Sequence, residues 1–184
     1  LSLLKENEEY WINPVVTRGS AWWDVMEPFP PSVHVYTKLI KFERYAQYYK
    51  TGSHIVTPST RHVPPQCIDA KAKTYSRLQM VLAELEAKQV DPNCYTLMLD
   101  LDGNITELTG GNFFIVKNGT LLTPGPKNIL LGISRETVFE LAKELSIPYM
   151  ERDIQPFEVY NCDEAFQTTT SYCVLPVSRF NTRR

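Results

Sequence analysis

The sequence predicts an α+β fold made mostly of antiparallel strands, with two main helices. Two observations predict it: short runs of β-branched and aromatic residues lie between turn signals, and two stretches place apolar residues at helical spacing. The chain shows no internal repeat and no low-complexity tract. Its 184 residues, 43% hydrophobic and 22% charged, are enough to bury a substantial core.

Composition argues against several classes of function. A net charge of −2 gives no sign of a nucleic-acid partner. No apolar run is long enough to span a bilayer, and no signal peptide opens the chain. The four cysteines are scattered without metal-ligand spacing, which argues against a zinc site or a disulfide framework. We therefore expect a cytoplasmic protein with no metal and no nucleic-acid or membrane partner.

The first third of the chain is rich in strand signals. Strands are predicted at Tyr10–Val16 and Val33–Phe42, and the Pro- and Trp-rich residues 20–32 between them predict a loop. The polar and aromatic residues 44–52 resemble a linker. A domain boundary is therefore expected near residue 43.

Two amphipathic helices are predicted in the rest of the chain. Asp69 is the expected N-cap of the first, which runs to about Gln89 with an apolar face formed by Tyr75, Leu78, Leu82 and Leu85. Ser134 is the expected N-cap of the second, whose apolar face is formed by Val138, Leu141, Ala142 and Leu145.

The remaining segments predict strands and one short helix. Asn118-Gly119 is typical of a tight hairpin turn between two strands. Pro156–Asn161 predicts a short helix or turn. The predicted strands are Ser53–Val63, Tyr95–Leu101, Phe113–Val116, Thr120–Thr123, Ile147–Ile154, Ala165–Thr170 and Val174–Phe180.

The stretch ITELTGGNFFIV is the strongest candidate for a site. It places the carboxylate of Glu107 close to Gly110, Gly111 and Asn112, just before an apolar strand. Glycines let a backbone approach another group closely, and an asparagine side chain can bridge backbone groups. The alternative is that Glu107 is an ordinary charged residue in a β-turn.

Three further groups would complete such a site. Lys71 and Lys73 lie near the predicted start of the first helix, where a lysine could form a Schiff base or simply be solvated. Gly132, Ile133 and Ser134 would offer N–H groups and a hydroxyl at a helix N-terminus, which can bind an anion. Thr168–Thr170 would add hydroxyl groups. The alternatives are a plain helix cap and simple β-propensity.

Together these groups match the chemistry of pyridoxal phosphate. A lysine would bind its aldehyde, N–H and hydroxyl groups would bind its phosphate, and a carboxylate would keep its ring nitrogen protonated. The ring could then accept the electrons of a substrate carbanion.

The arrangement resembles the class IV, fold-type IV aminotransferases, which depend on pyridoxal phosphate. The segments ITELTGGNFFIV, LLGISR and DEAFQTTT resemble signature segments of that family, and the similarity runs from Val15–Gly19 to Val174–Val177. It implies a fold-type IV structure with residues 1–43 as the remainder of a small N-terminal α/β domain. Residues 44–184 would form the domain that binds pyridoxal phosphate.

The resemblance also implies roles for individual residues. Counting back from Glu86-Ala87 favours Lys73 over Lys71 as the Schiff-base lysine and catalytic residue, and Glu107 would be the partner of the ring nitrogen. Arg18 would bind the substrate carboxylate. The implied cofactor-binding residues are Lys73, Glu107, Gly110, Asn112, Leu130, Gly132, Ile133, Ser134, Thr169 and Thr170.

The family's phosphate-binding arginine and its last strands and helix have no counterpart here, so we interpret the chain as a fragment lacking both ends. The segment VVTRG places it nearest the branch of D-amino-acid and (R)-selective amine transaminases. The implied activity moves an amino group between an amine or amino acid and a 2-keto acid, in a homodimer. The alternatives are a branched-chain aminotransferase, a lyase of the aminodeoxychorismate type and an inactive scaffold.

Overall fold

The chain separates into two compact units, Leu1–Arg44 and Tyr45–Arg184. This computed structural model describes residues 5, 8–19, 26 and 29–183. In the first unit, strand β1 (Tyr10–Thr17) pairs antiparallel with strand β2 (Ser32–Leu39). Both predicted strands are therefore confirmed, whereas most of the predicted loop at residues 20–32 lies outside the described residues.

One eight-stranded sheet dominates the second unit. Its strands are β3 (Ser53–Val56), β4 (Tyr95–Leu99), β5 (Ile105–Leu108), β6 (Asn112–Lys117), β7 (Thr120–Thr123), β8 (Tyr149–Glu151), β9 (Glu164–Thr169) and β10 (Cys173–Phe180). Their spatial order is β5-β4-β3-β10-β9-β6-β7-β8, and four of the seven neighbouring pairs are antiparallel.

Two long helices accompany the sheet, as predicted. These are α3 (Leu78–Val90) and α4 (Ile133–Glu144). The short helices are α1 (Glu43–Ala46), α2 (Tyr48–Thr51) and α5 (Pro156–Tyr160). The structure is thus α+β and mostly antiparallel. The short helix after Ile154 is confirmed, but the linker predicted at residues 44–52 is wrong, because two helical turns occupy it.

The hairpin of β6 and β7 follows from its sequence. Asn118 and Gly119 both have positive φ, at 50° and 72°, as a tight two-residue turn requires. Side chains along a strand alternate between faces. Phe113 and Ile115 therefore enter one buried cluster with Leu97, while Phe114 enters a second cluster against α4.

Helix α3 begins eight residues later than predicted, because its N-cap is Arg77 and not Asp69. The side chain of Asp69 forms a local turn, in which its Oδ1 accepts the backbone N–H of Lys71 at 3.0 Å. Residues 70–77 are irregular, and Arg77 occupies the N-cap position. Lys71 and Lys73 are therefore on an irregular segment and not in the first turn of a helix.

The predicted apolar face of α3 is also wrong. Its members are all exposed, from 49% for Leu82 to 71% for Leu78. The helix packs through its small residues Ala83 and Ala87, both fully buried, and Ala87 joins a cluster with Val56.

Helix α4 differs from prediction at its start and on its buried face. Gly132 is the N-cap, and no side chain caps the helix, so Ser134 is the second helical residue. Val138 and Ala142 are buried as predicted. Leu141 and Leu145 are exposed, and their places are taken by residues that the prediction missed, Arg135 and Phe139.

Two predicted strands are much shorter than expected. Ile147–Ile154 reduces to the three residues of β8, and Ser53–Val63 reduces to β3. After β3 the chain turns toward α3, where Glu86 accepts backbone N–H groups of Ser59 and Thr60 at 2.5 and 3.1 Å. Burial alone would raise the pKa of Glu86, but the hydrogen bonds from these two residues lower it to about 2.

The described residues contain no membrane-spanning helix, metal-binding group or disulfide. No described helix is both long enough and apolar enough to cross a membrane. Within the same residues, no group of three or more His, Cys, Asp or Glu side chains could hold a metal ion. Cys67, Cys94, Cys162 and Cys173 are free thiols.

Candidate active site

The second unit contains a pocket of about 320 Å³ at the junction of α3, β5, β6, α4 and β9. That volume lies within the range of small-molecule sites. Ten residues from the sequence analysis line it: Lys73, Glu107, Gly110, Asn112, Leu130, Gly132, Ile133, Ser134, Thr169 and Thr170. They come from segments up to 97 residues apart, so the fold itself brings them together.

Lys73 lies on the irregular segment before α3 and lines the pocket, whereas Lys71 does not. Its side chain is exposed. Its ammonium makes no hydrogen bond or ion pair with the part of the chain that the structure describes. Lys73 is therefore free to react with a molecule in the pocket.

Glu107 is a buried carboxylate at the base of the pocket. It lies within β5 and is 5% exposed, so it is a buried strand residue and not an ordinary charged residue in a β-turn. Its Oε2 accepts the backbone N–H of Leu130 at 3.0 Å. A buried carboxylate is costly unless other groups compensate its charge.

His62 supplies that compensation and was missed by the sequence analysis. Its Nε2 lies 3.4 Å from Oε1 of Glu107, with both side chains buried. Burial alone would lower the pKa of His62, but Glu107, the Val63 carbonyl and the charge of Asp100 together raise it above 6.5. No local pattern announces this pairing, because it depends on how the loop after β3 folds beside β4 and β5.

The two glycines of the signature stretch have different environments. A Cβ on Gly111 would lie 2.3 Å from the carbonyl oxygen of Thr168, so this position requires glycine. A Cβ on Gly110 would meet nothing within 4 Å. The expected close backbone approach is therefore found at Gly111 and not at Gly110.

Asn112 connects strand β6, on one side of the pocket, to the segment before α4 on the other side. It is the first residue of β6, and its Nδ2 donates to the carbonyl of Leu130 at 2.9 Å. A Cβ on Gly132 would lie 2.3 Å from Oδ1 of Asn112, so the lack of a side chain at Gly132 makes room for this amide. The contact holds the segment that leads into α4.

The N-terminus of α4 and the end of β9 face the pocket together. The first N–H groups of a helix have no partner within the helix, so those of α4 can bind an anion. Ile133 and Ser134 lie at this end. Thr169 donates its hydroxyl to the Gly110 carbonyl at 2.8 Å, and the buried Oγ1 of Thr168 has no hydrogen-bond partner among the described residues.

Arg77 is a second cation that sequence reasoning missed. It lines the pocket four residues after Lys73, and its Nη2 donates to the carbonyl of Thr109. Within the described residues, no carboxylate forms an ion pair with it. Its position directly before α3 could not be recognised while the helix was expected to begin at Asp69.

Comparisons with known proteins identify the family. Residues 1–180 match the description "Amino-transferase class IV". The chain belongs to the class IV aminotransferase family. Membership supports the fold-type IV resemblance, and it supports pyridoxal phosphate as the cofactor.

Related sequences in this family carry one recurrent name. The chain is 40% identical over 134 residues to a Thermotoga maritima protein named "Probable branched-chain-amino-acid aminotransferase", covering 72% of the chain and 48% of that protein. It is 30% identical over 173 residues to the Escherichia coli branched-chain-amino-acid aminotransferase, covering 91% and 55%. The chain thus spans about half the length of these curated relatives.

Solved class IV structures share the fold. The Escherichia coli branched-chain amino acid aminotransferase superposes with a TM-score of 0.88 at 27% identity, covering 95% of this chain and 59% of that one. The Thermobaculum terrenum branched-chain amino acid aminotransferase, solved in its PLP-form, gives 0.81 at 26% identity, covering 94% and 56%.

The pocket residues fit this cofactor chemically. An unpaired lysine can react with the aldehyde, and a buried carboxylate can accept a ring N–H. The open helix end and the hydroxyls of Ser134 and Thr170 can bind phosphate oxygens. Arg18, the predicted substrate ligand, follows β1 in the first unit, and its role stays a prediction.

Proposed function

We propose that the protein is a pyridoxal-phosphate-dependent aminotransferase that moves an amino group between an amine or amino acid and a 2-keto acid. The observation that carries this proposal is that Lys73, Glu107 and the N-terminus of α4 line one pocket. When bound there, the cofactor supplies an electron sink for the carbanion formed at the substrate carbon. The chain's own residues then bind, orient and move protons.

Lys73 has two roles in this proposal. Its Nζ would hold the cofactor at its aldehyde group, and when free it would carry a proton as general acid and base. The Lys73 side chain is exposed and has no hydrogen bond or ion pair among the described residues. This supports both roles, because no contact has to be broken when the side chain changes from one role to the other.

Glu107 and the α4 end have fixed roles. The carboxylate would accept a hydrogen bond from the protonated ring nitrogen, and its bond from Leu130 holds it in place. Gly132, Ile133 and Ser134 would bind the phosphate through N–H groups and a hydroxyl, with Thr169 and Thr170 on the opposite side. Leu130 would pack on a ring face, while Gly110 and Asn112 shape the wall near Glu107.

The cation Arg77 supports a substrate that carries a carboxylate. Lys73 is engaged by the cofactor, which leaves Arg77 as the remaining cation among the pocket-lining residues. Replacing it (Arg77→Gln) should raise KM for amino acids roughly tenfold, because a hydrogen-bonded charge pair is lost. An amine without a carboxylate, measured by the same steady-state assay, serves as the control and should be much less affected.

The choice of amino acid rests on two observations that differ. The VVTRG segment favours the D-amino-acid and (R)-amine branch, whereas the names of the relatives favour branched-chain L-amino acids. Comparing kcat/KM for D-alanine, an (R)-amine and L-leucine decides between them.

A single-turnover reaction tests the proposed activity. The full chain is loaded with pyridoxal phosphate and mixed with an amino acid in the absence of any keto acid. A transaminase converts the bound cofactor to pyridoxamine phosphate and releases one equivalent of keto acid. Release of pyruvate from aminodeoxychorismate without that conversion would show a lyase, and no cofactor binding would show a scaffold.

A cytoplasmic homodimer remains our prediction for the assembled protein. The four free thiols suit a reducing compartment. Light scattering of the full chain gives its oligomeric state, and a monomer at working concentrations would contradict the prediction.

A further inference from the structure

We propose that His62, as an imidazolium cation, is a positioning residue that holds the carboxylate of Glu107 in place at the pocket. This inference deepens the proposed function of the site and rests on it. The sequence offered no partner for His62, so the assignment comes from the three-dimensional arrangement alone.

The His62 ring is fixed in place by its own segment. Its backbone N–H donates to the carbonyl of Leu99 at 2.8 Å, which places the residue beside the end of β4. The side chain is 5% exposed. The neighbouring loop is in turn fastened to α3 by Glu86. The segment that carries the imidazole is therefore held beside β4, and the ring itself is buried against Glu107.

Hydrogen-bond chemistry determines the protonation state. Nδ1 lies 3.0 Å from the Val63 carbonyl oxygen, and a carbonyl oxygen only accepts, so Nδ1 carries a proton. In the neutral ring, Nε2 would then present a lone pair to the Glu107 carboxylate, and two lone pairs repel. A proton on Nε2 converts this repulsion into attraction, so the geometry favours the cation.

The contact between Nε2 of His62 and Oε1 of Glu107 is an electrostatic attraction and not a hydrogen bond of normal length. The 3.4 Å separation exceeds the usual length of an N–H···O bond, and Nε2 has no hydrogen-bond partner among the described residues. The carboxylate is therefore held from two sides, by the Leu130 N–H at Oε2 and by the His62 cation at Oε1. It keeps lone pairs for a donor inside the pocket.

Asp100 is the other titratable group that influences His62. It acts through its charge, because its own oxygens are engaged in the turn after β4, where Oδ1 accepts N–H groups of Asp102 and Asn104 at 3.0 and 2.8 Å. Glu107 thus remains the acidic group in contact with the ring. Loss of the His62 proton at alkaline pH should remove the cation and weaken the hold on the carboxylate.

The first arm of the test uses the protein without cofactor. Histidine ring carbons are followed by NMR as pH is varied, and His62→Gln identifies the signal of His62. The wild type should titrate above 6.5, and Glu107→Gln should lower the midpoint by about one pH unit, because burial then acts without the compensating charge. An unchanged midpoint in Glu107→Gln would overturn the proposal.

The second arm measures binding of pyridoxal phosphate to the full chain at several pH values. His62→Gln should bind roughly tenfold more weakly at neutral pH, with the difference from wild type vanishing as His62 loses its proton. His62→Arg should restore affinity and keep it at alkaline pH, since an arginine stays charged. His54→Gln is the matched control, because His54 is a partly buried histidine paired with Asp91 outside the pocket, and it should bind as wild type does.

The two arms separate the two claims. Wild-type protein that binds no pyridoxal phosphate, with His62 still responding to Glu107→Gln, would overturn the proposed cofactor and support the pair. Normal binding by His62→Gln at every pH would overturn the positioning role. If His62→Gln fails to fold, the titration of wild type against Glu107→Gln and the binding of His62→Arg decide the matter.

Discussion

Two histidine–carboxylate pairs lie in the second unit, and their geometry differs. His54 is satisfied at both nitrogens, with Nδ1 2.6 Å from Oδ2 of Asp91 and Nε2 2.8 Å from the carbonyl of Asn181. His62 approaches Glu107 only to 3.4 Å. The first pair is more exposed, at 10% and 27% for its side chains, yet it is more tightly bonded.

The difference separates a structural pair from a site pair. His54 connects β3 to the residue after α3 and to the segment after β10, so its bonds tie three parts of the fold together. The Glu107 pair is more deeply buried but retains unused acceptor capacity at the pocket. A buried carboxylate that lines a pocket and is only loosely held by its histidine is suited to a ligand, whereas a pair whose histidine is bonded at both nitrogens is suited to stability.

The largest expected contrast comes from neutralising each carboxylate in turn. Glu107→Gln should lower kcat on the order of a hundredfold, because the protonated ring nitrogen loses its charged partner. It should leave folding close to wild type. Asp91→Asn should do the opposite, lowering the free energy of unfolding by about 1.5 kcal/mol with little effect on kcat. Steady-state kinetics and urea unfolding measure both quantities.

The distinction between a site pair and a structural pair would be wrong if Glu107→Gln lowered stability and Asp91→Asn lowered kcat. A large loss of stability in Glu107→Gln with normal activity would make Glu107 a structural residue. A large loss of kcat in Asp91→Asn would place the His54 pair in the active site.

A smaller effect is expected from moving the backbone near Glu107. Gly111→Ala forces a shift because its Cβ would meet the Thr168 carbonyl, and we expect a loss of about 2 kcal/mol in unfolding free energy. Gly110→Ala is the matched control and should change stability by less than about 0.5 kcal/mol. The NMR titration of His62 should change in Gly111→Ala, whereas that of His54 should not. Equal effects of the two alanine variants would contradict the close approach at Gly111.

The smallest expected effects are opposite pH dependences of stability, each about 1 kcal/mol or less. The hydrogen bond from His54, with a backbone N–H from Asn93, lowers the pKa of Asp91 below 3.8. Its contribution is present above pH 3.8 and is lost as pH falls through the lowered pKa. The pKa of His62 is raised above 6.5, so its contribution is present below that pH and is lost as pH rises through the raised pKa.

Urea unfolding at several pH values checks these signs. The difference between wild type and Asp91→Asn should shrink in acid, and the difference between wild type and His62→Gln should shrink in alkali. The same direction for both variants would contradict the assigned charge states.

The sequence predicted best where the signal was local. The Asn118-Gly119 turn and the apolar run Phe113–Val116 specify their hairpin without help from distant residues. The signature stretches also located nine of the predicted residues that line the pocket, and the tenth, Lys73, was found by its distance from Glu86-Ala87. Their individual roles stay predictions.

Prediction failed where tertiary contacts decide the outcome. Asp69 could equally cap a helix or close a local turn, and the structure shows the turn. The spacing of the large apolar residues of α3 indicated that they form its buried face. In the structure they are exposed, and the buried residues of the helix are Ala83 and Ala87, the second of which packs against Val56 of β3. His62 has no local pattern at all, because its partner Glu107 is 45 residues away and reaches it only through pairing of β4 with β5.

The proposed activity depends most on Lys73 being the residue that holds the cofactor. The most direct measurement is borohydride reduction of the full chain with bound pyridoxal phosphate, followed by peptide mapping, with Lys71→Arg and Lys73→Arg as matched variants. We predict a label on Lys73 that persists in Lys71→Arg and disappears in Lys73→Arg. A label on Lys71, or no label on protein that binds the cofactor, would contradict this assignment.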